Sequence, residues 1–288
     1  MNKDLLWSLC PNEYLKRFIE QGIRPDGRTS EISRNICIQK NTIPNYDCSV
    51  SIKAGSSSYM AGSTNKIAIN ESDSDIQRRI IVNIDFPKVC GVTVSTNQSI
   101  YIANTIMECL NDTRILNKGL LSSKVNDKDI FWVIYIDIVC LSYDGNALDY
   151  CFLAAVASLI DTNIPKNIEW DKEYSWYRIS SDNILLEPSG NICNEDTNVQ
   201  EDSSNRILKY IPIFVSFLYL SGGYWVCDPS HIEDSQGDII SFCCLGIEEK
   251  VTLVTQRITK CDTCLQSNLS HLKKVAIQHA LNIRRLLI

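Results

Sequence analysis

The stretch from Ile130 to Ile160, "IFWVIYIDIVCLSYDGNALDYCFLAAVASLI", constrains this chain more than any other. Residues 130–141 are apolar at nearly every position, which predicts a central strand covered on both faces. Asp144-Gly145 is turn chemistry and stops the strand. A helix over 146–160 follows at once, and its small residues Ala154, Ala155, Ala157 and Ser158 allow it to lie close against a sheet. Such a junction demands a layered architecture around one core. It also leaves free backbone N–H groups at the helix start, a favourable place to hold a phosphate.

The rest of the chain repeats the theme. Pro11 opens a short helix through about Glu20, with Tyr14, Leu15, Phe18 and Ile19 on its inner side. Strands are expected at 32–39, 47–53, 57–62, 66–70 and 78–85, and Ile102, Ile106, Cys109 and Leu110 mark a helix around 98–116. In the second half, strands are expected at 211–220, 223–227, 238–246 and 250–255. A last helix carries Leu265, Leu269, Leu272, Ala276, His279, Ile283 and Leu286 on one stripe. His279 on that stripe reads as a packed core histidine. Both halves run strands and then helix. The expected class is α+β, mixed sheets packed with helices, with two related β/α halves in one domain over 22–288. Residues 1–21 form a helical extension, and an acidic, apolar-poor loop insertion sits at about 180–206.

Several chemistries find no footing. The net charge is −6, the pI is near 5.2, and the 28 basic residues are scattered, unlike the basic stripe of an autonomous nucleic-acid binder. The cysteine count is odd, 13, and most lie in apolar stretches, so reduced thiols are expected rather than a disulfide framework. Cys261-Asp-Thr-Cys264 lacks a second pair, and only His231, His271 and His279 are available, so two thiols at a helix start are preferred over zinc. No apolar run reaches membrane-spanning length and no export signal opens the chain, so a soluble intracellular protein is expected. Gly-x-Ser-x-Gly, Gly-x-x-x-x-Gly-Lys and Gly-x-Gly-x-x-Gly are absent.

Carboxylates remain. Asp137 interrupts the apolar strand, where a charge needs a partner. Asp228, Glu233 and Asp234 lie in "WVCDPSHIED" at the end of another apolar strand. Two readings stand: an acid pair that binds a cation or moves a proton, or a turn capped by Asp228 with the others facing solvent.

Four stretches together resemble the RNase PH family: "YLKRFIEQGIRPDGRTSEISRNI", "CSVSIKAGSSSYMAGS", "DIFWVIYIDIVCLSYDGNALDYCFLAAVASL" and "WVCDPSHIEDSQGDIISFCCLG". Their order and spacing cover nearly the whole chain. The Asp-Gly-Asn and Asp-Pro-Ser stretches look most like the catalytically silent ring subunits of the eukaryotic RNA exosome. Active members of the family degrade RNA by phosphorolysis, with a phosphate site of pattern Asp-Gly-Gly-Thr-Arg. The matching residues here are Asp144, Gly145, Asn146, Ala147 and Leu148, so the hydroxyl and the guanidinium are both missing. Asp228 and Asp234 match the family's aspartate pair, six apart, and are read as vestigial. Where active members carry RNA-gripping arginines, "FPKVCGVTVSTNQSIYI" offers only Lys88.

The resemblance thus implies a non-catalytic ring subunit, without metal or cofactor. It implies support of 3'-to-5' RNA processing and degradation, including rRNA maturation and mRNA turnover, in the nucleus, nucleolus and cytoplasm. The implied partners are other RNase PH-like ring subunits, RNA-binding cap subunits, and RNA in a central channel; no membrane is among them. Arg78 and Arg79 are candidates for contacts to RNA phosphates, against a solvated loop. The alternative is an active phosphate-dependent 3'-to-5' exoribonuclease, its site shared with a neighbouring subunit.

Overall fold

The structure, a computed structural model, describes residues 9–69, 78–92, 94–125, 128–165, 168–171, 176–179, 206–220, 222–245, 251–257 and 263–287. Nearly all of the acidic insertion expected at 180–206, and Cys261 of the Cys-Asp-Thr-Cys pair, lie outside the described residues. Helix α1 (Pro11–Glu20) begins at its proline, where a missing N–H costs nothing, and buries Leu15 completely.

Six strands form the first sheet: β1 (Ile36–Lys40), β2 (Cys48–Ala54), β3 (Ser57–Ile69), β4 (Ile80–Asp85), β5 (Ser122–Val125) and β6 (Lys128–Ser142). Their order is β1-β2-β3-β6-β4, with β5 paired to one end of β6. Only β4 runs parallel to β6. The strands expected separately at 57–62 and 66–70 are one continuous strand, β3.

Helices α2 (Thr96–Leu110) and α3 (Ala147–Ile160) contact each other, α2 on β4 and α3 on β2, β3 and β6. Ser95 caps α2 by accepting the Gln98 N–H. The helix stops at Leu110, short of the expected 116, because the Asn111 side chain turns aside to β4. It accepts from the Arg79 and Ile80 N–H groups (2.7 and 3.0 Å) and donates to Ile80 O.

Strand β6 is central, as expected, but its two faces differ, and the expectation of double coverage is corrected. Ile130, Trp132, Ile134, Ile136, Ile138 and Cys140 are buried against the helices. On the other face Val133 is buried, but Tyr135, Asp137 and Val139 are half-exposed and Leu141 is exposed. The sheet is mostly antiparallel, so no crossover helix is forced onto that second face. Asp137 has no burial cost to meet there, and accepts from Asn83 Nδ2 at 2.9 Å.

Beyond the hairpin of β7 (Ile168–Asp171) and β8 (Trp176–Ile179), a second sheet has the order β10-β9-β11-β12. Its strands are β9 (Ile213–Tyr219), β10 (Trp225–Cys227), β11 (Asp238–Cys244) and β12 (Val251–Arg257). Every residue of β9 is buried. Phe214 stacks on Phe152 of α3, ring centroids 4.0 Å apart, and Leu218 packs with Leu15 of α1. On the other side Phe217 meets Phe242 and Trp225, and Trp225 meets His271 of helix α5 (Thr263–Leu287).

Helix α3 therefore lies between the two sheets. All but Leu148 and Ile160 of its residues are buried, so an all-round apolar sequence was needed. The one-turn helix α4 (His231–Asp234) follows β10. Among the described residues, no helix is long and apolar enough to cross a membrane.

Candidate functional site

Two strand ends meet. The turn after β6 holds Asp144–Leu148, and the turn after β10 holds Asp228–Asp234. A Cβ on Gly145 would sit 2.5–2.6 Å from backbone atoms of Pro229, Ser230 and His231, so the two turns touch at their main chains. Gly145 also has φ +82°, a second reason for glycine there. The His231 N–H points to Asp144 Oδ1 (3.4 Å), and Tyr143 Oη donates to Asp234 Oδ2 (2.8 Å).

Asn146 stands where the family pattern has its second glycine. Its φ of +55° is tolerated by asparagine better than by most residues. Its side chain does not cap α3. Instead Nδ2 donates to Asp149 Oδ2 (2.9 Å) and to Asp228 Oδ1 (2.8 Å), tying helix α3 to the end of β10. Ala147 is buried, and Leu148 packs partly buried against the core.

Asp228 is buried and fully engaged. Arg34 donates through its backbone N–H and Nε to Oδ2 (both 2.9 Å) and through Nη2 to Oδ1 (2.7 Å). Arg28 Nη1 adds a bond to Oδ2 at 3.0 Å. Burial alone would raise this carboxyl's pKa; the bonds and charge of Arg34, with Asn146, outweigh it and hold the group well below the usual carboxylate range. A carboxylate so held has no proton to give near neutral pH, and both of its oxygens already carry donors. It neither simply caps a turn nor presents an open acid.

The arginines come from the segment Arg24–Arg34. Arg24 is buried with Glu233, bonding Oε1 through Nε (2.9 Å) and Oε2 through Nη2, and reaching Cys227 O (2.7 Å) and Asp228 O (3.0 Å). Glu233 also accepts from Ser230 N–H and Oγ (2.8 and 2.9 Å), a capping box in a single turn. Arg28 is further paired with Asp26 at 2.7 Å. Arg34 reaches Asp144 O (2.5 Å) and lies over the Tyr150 ring.

The sequence gives no role to the arginines of Arg-Pro-Asp-Gly-Arg, yet with Arg34 they bind the far turn. Three arginines within eleven residues were the available signal. Nor does the sequence single out Asp149. It is buried, accepts from Ser216 N–H (2.7 Å) and Ser216 Oγ (2.5 Å), and burial pushes its pKa up to about 6. Behind these groups lies a cavity of about 20 Å³, bordered by Ser33, Asn146, Asp149, Tyr150, Asp228 and His279. That is room for about one water. His279 faces it with Nε2 on Glu31 O (2.7 Å) and Nδ1 by Ser33 Oγ (3.2 Å).

Asp234 stands apart from Asp228. It is half-buried and accepts from the Tyr143 hydroxyl. Arg78 is exposed at the approach to β4, whereas Arg79 is buried with its guanidinium 3.7 Å above the Phe131 ring. Lys88 is exposed on a 3-10 turn (Lys88–Cys90) after β4. Among the described residues, no group of three or more His, Cys, Asp or Glu is placed to hold a metal ion.

Comparison with known proteins agrees with this architecture. The RNase PH family model, described as 3' exoribonuclease family, domain 1, matches residues 32–165. The chain is 26% identical over 234 residues to the exosome complex component rrp43 of Schizosaccharomyces pombe, covering 71% of this chain and 85% of that one. It is 27% identical over 240 residues to the exosome complex component Rrp42 of Sulfurisphaera tokodaii, covering 82% and 78%. Among solved structures, the Archaeoglobus fulgidus exosome with RNA bound to the active site superposes with a TM-score of 0.71 at 20% identity, over 98% of this chain and 99% of that one. An archaeal exosome core gives 0.70 at 22% identity, over 100% and 99%. The fold of this chain is the RNase PH fold, and the family model matches it from Ile32 to residue 165, just past the end of α3.

Proposed function

We propose that this chain is a non-catalytic ring subunit of an RNA exosome, resembling in its motifs the opa-interacting protein two type. One observation carries the reading. At the strand–turn–helix junction where active family members hold phosphate, the chain offers Ala147 and Leu148, and the adjacent arginines are committed to Asp228, Glu233 and Asp26. A phosphate dianion arriving there finds no uncommitted guanidinium among these three. The relatives named above, themselves exosome components, support the assembly. The partners are other RNase PH-like ring subunits, RNA-binding cap subunits, and RNA in the channel, with the exposed Arg78 the candidate on its phosphate path; Arg79, buried over Phe131, is not one. The role is support of 3'-to-5' RNA processing and degradation in the nucleus, nucleolus and cytoplasm. In this reading residues 1–21 are a helical extension to the domain 22–288.

Two measurements test it. Purification of the tagged chain from its own cells should recover other RNase PH-like chains and cap proteins at equal stoichiometry. The purified chain, alone and with its neighbours, should release no nucleoside diphosphate from RNA in the presence of inorganic phosphate beyond what the neighbours release themselves. Phosphate-dependent release that disappears in Asp234→Asn would overturn the reading and establish the shared-site exoribonuclease instead.

A further inference from the structure

Cys109 and Cys243 approach each other with Sγ atoms 3.7 Å apart. Cys109 is in the last turn of α2, in the first half of the chain, and is half-buried; Cys243 is the penultimate residue of β11, in the second half, and is buried. We propose that this pair is a redox modification site, a thiol couple that hydroperoxides convert to a disulfide clasping the two halves of the fold. The proposal is independent of whether the chain assembles into a ring.

The geometry suits the chemistry. The sulfurs are in contact, and both residues sit at the ends of their elements, where a side-chain rotation and a small backbone shift close the remaining gap to bonding distance. The surroundings suit it too. Two guanidinium groups flank the couple. Arg114, bound to Asp112, is held more firmly protonated first by that carboxylate and then by both thiols. Arg284 of α5 anchors on Ile211 O (2.9 Å) and Cys244 O, beside Cys243. Cations beside a thiol favour its thiolate, the reactive form. The hydrogen bond between the couple raises the pKa of Cys243, with burial adding to it. Cys109 is the more accessible of the two.

The Cys109 thiolate attacks one oxygen of a hydroperoxide. The O–O bond breaks, the sulfur becomes a sulfenic acid, and the leaving oxygen departs, with a proton, as water or an alcohol. Cys243 then attacks the sulfenic sulfur, the S–O bond breaks, and a second water leaves as the S–S bond forms. Two thiols lose two protons and two electrons, and the peroxide accepts them. The link closes 134 residues of sequence separation, so it removes much freedom from the unfolded chain. A reducing thiol pool reopens it.

The test is peptide mapping of the full chain after brief exposure to hydrogen peroxide, under non-reducing conditions, with thermal unfolding alongside. The expected result is a linked pair of peptides containing Cys109 and Cys243, and an unfolding midpoint that rises on oxidation and returns with dithiothreitol. Cys109→Ser and Cys243→Ala each abolish the linked peptide. A link between other cysteines, or Cys109 advancing to sulfinic acid while Cys243 stays a free thiol, overturns the proposal. The wild-type map alone decides between these outcomes if either variant fails to fold.

Discussion

Both β6 and β10 end in a short turn that leads to a helix, and each turn holds a non-glycine residue in the left-handed region, Asn146 at φ 55° and Asp228 at φ 51°. The two differ in what they keep. The first offers no cation: Ala147 and Leu148 follow Asn146, and the Asn146 amide is turned inward. The second has kept its acids, yet Asp228 is satisfied by two arginines and an amide, and Glu233 by a third arginine. An acid in the sequence and an acid free to act are therefore separate matters. In the second turn the acid is an anchor for the segment Arg24–Arg34.

The comparison breaks most easily at Asp228. Replacing it with alanine leaves Arg34, a buried cation, and Arg28 without their shared carboxylate. Truncating one partner of a buried pair costs about 3–5 kcal/mol, because the partner's charge stays desolvated. The expected outcome for Asp228→Ala is a large fall in the denaturation midpoint. A fall under about 1 kcal/mol would mean that the arginines find water and that Asp228 is no anchor. Gly145→Ala probes the other turn. The new methyl meets the backbone of Pro229–His231 in a residue already at φ +82°. A loss of roughly 2–4 kcal/mol is expected from overpacking and backbone strain together.

The second strand end also separates from the first by its response to pH. Asp228 has a folded pKa below its ordinary 3.8, so the stability it gives is present above that value and lost as pH falls below it. Asp149 runs the other way. Its folded pKa is raised to about 6 from 3.8, so its protonated form favours the folded state, and that stability is lost as pH rises from about 4 to about 6. Denaturation measured at several pH values across that window should show a decline on the order of 2 kcal/mol that Asp149→Asn removes. A wild-type curve flat over this window would show that the Ser216 and Asn146 hydrogen bonds fully offset the burial.

Much of this architecture was legible because it is local. The strand expected at 130–141 and the helix at 146–160 are found at Lys128–Ser142 and Ala147–Ile160, since apolar run, turn and small-residue helix are all written within thirty residues. The site was less legible because its bonds are distant. Arg34 and Asp228 are 194 residues apart in sequence, and Arg24 and Glu233 are 209 apart. No periodicity carries such pairings. The open face of β6 was misread for another reason. Tyr135, Val139 and Leu141 are apolar but not buried, and apolar residues on a surface are common. Composition marks what favours burial, and only the placement of helices decides what receives it.

The smallest expected effect sharpens the link between the two turns. Tyr143, just past β6, donates its hydroxyl to Asp234. Burial, and then the Asp234 charge, push that phenol well above its usual pKa, so it is a donor at any ordinary pH. Tyr143→Phe removes one hydrogen bond to a half-buried carboxylate that water can still reach. The expected loss is about 0.5–1.5 kcal/mol, well below that of Asp228→Ala. Asp234→Asn keeps an acceptor for the hydroxyl and should cost less still. If Tyr143→Phe instead matched Asp228→Ala in cost, Asp234 would be an anchor of the same kind as Asp228. The contrast between a committed and an accessible acid, six residues apart, would then fail. A small loss keeps Asp234 as the acid of the pair that is structurally dispensable, which makes it the informative residue to substitute in a phosphorolysis assay.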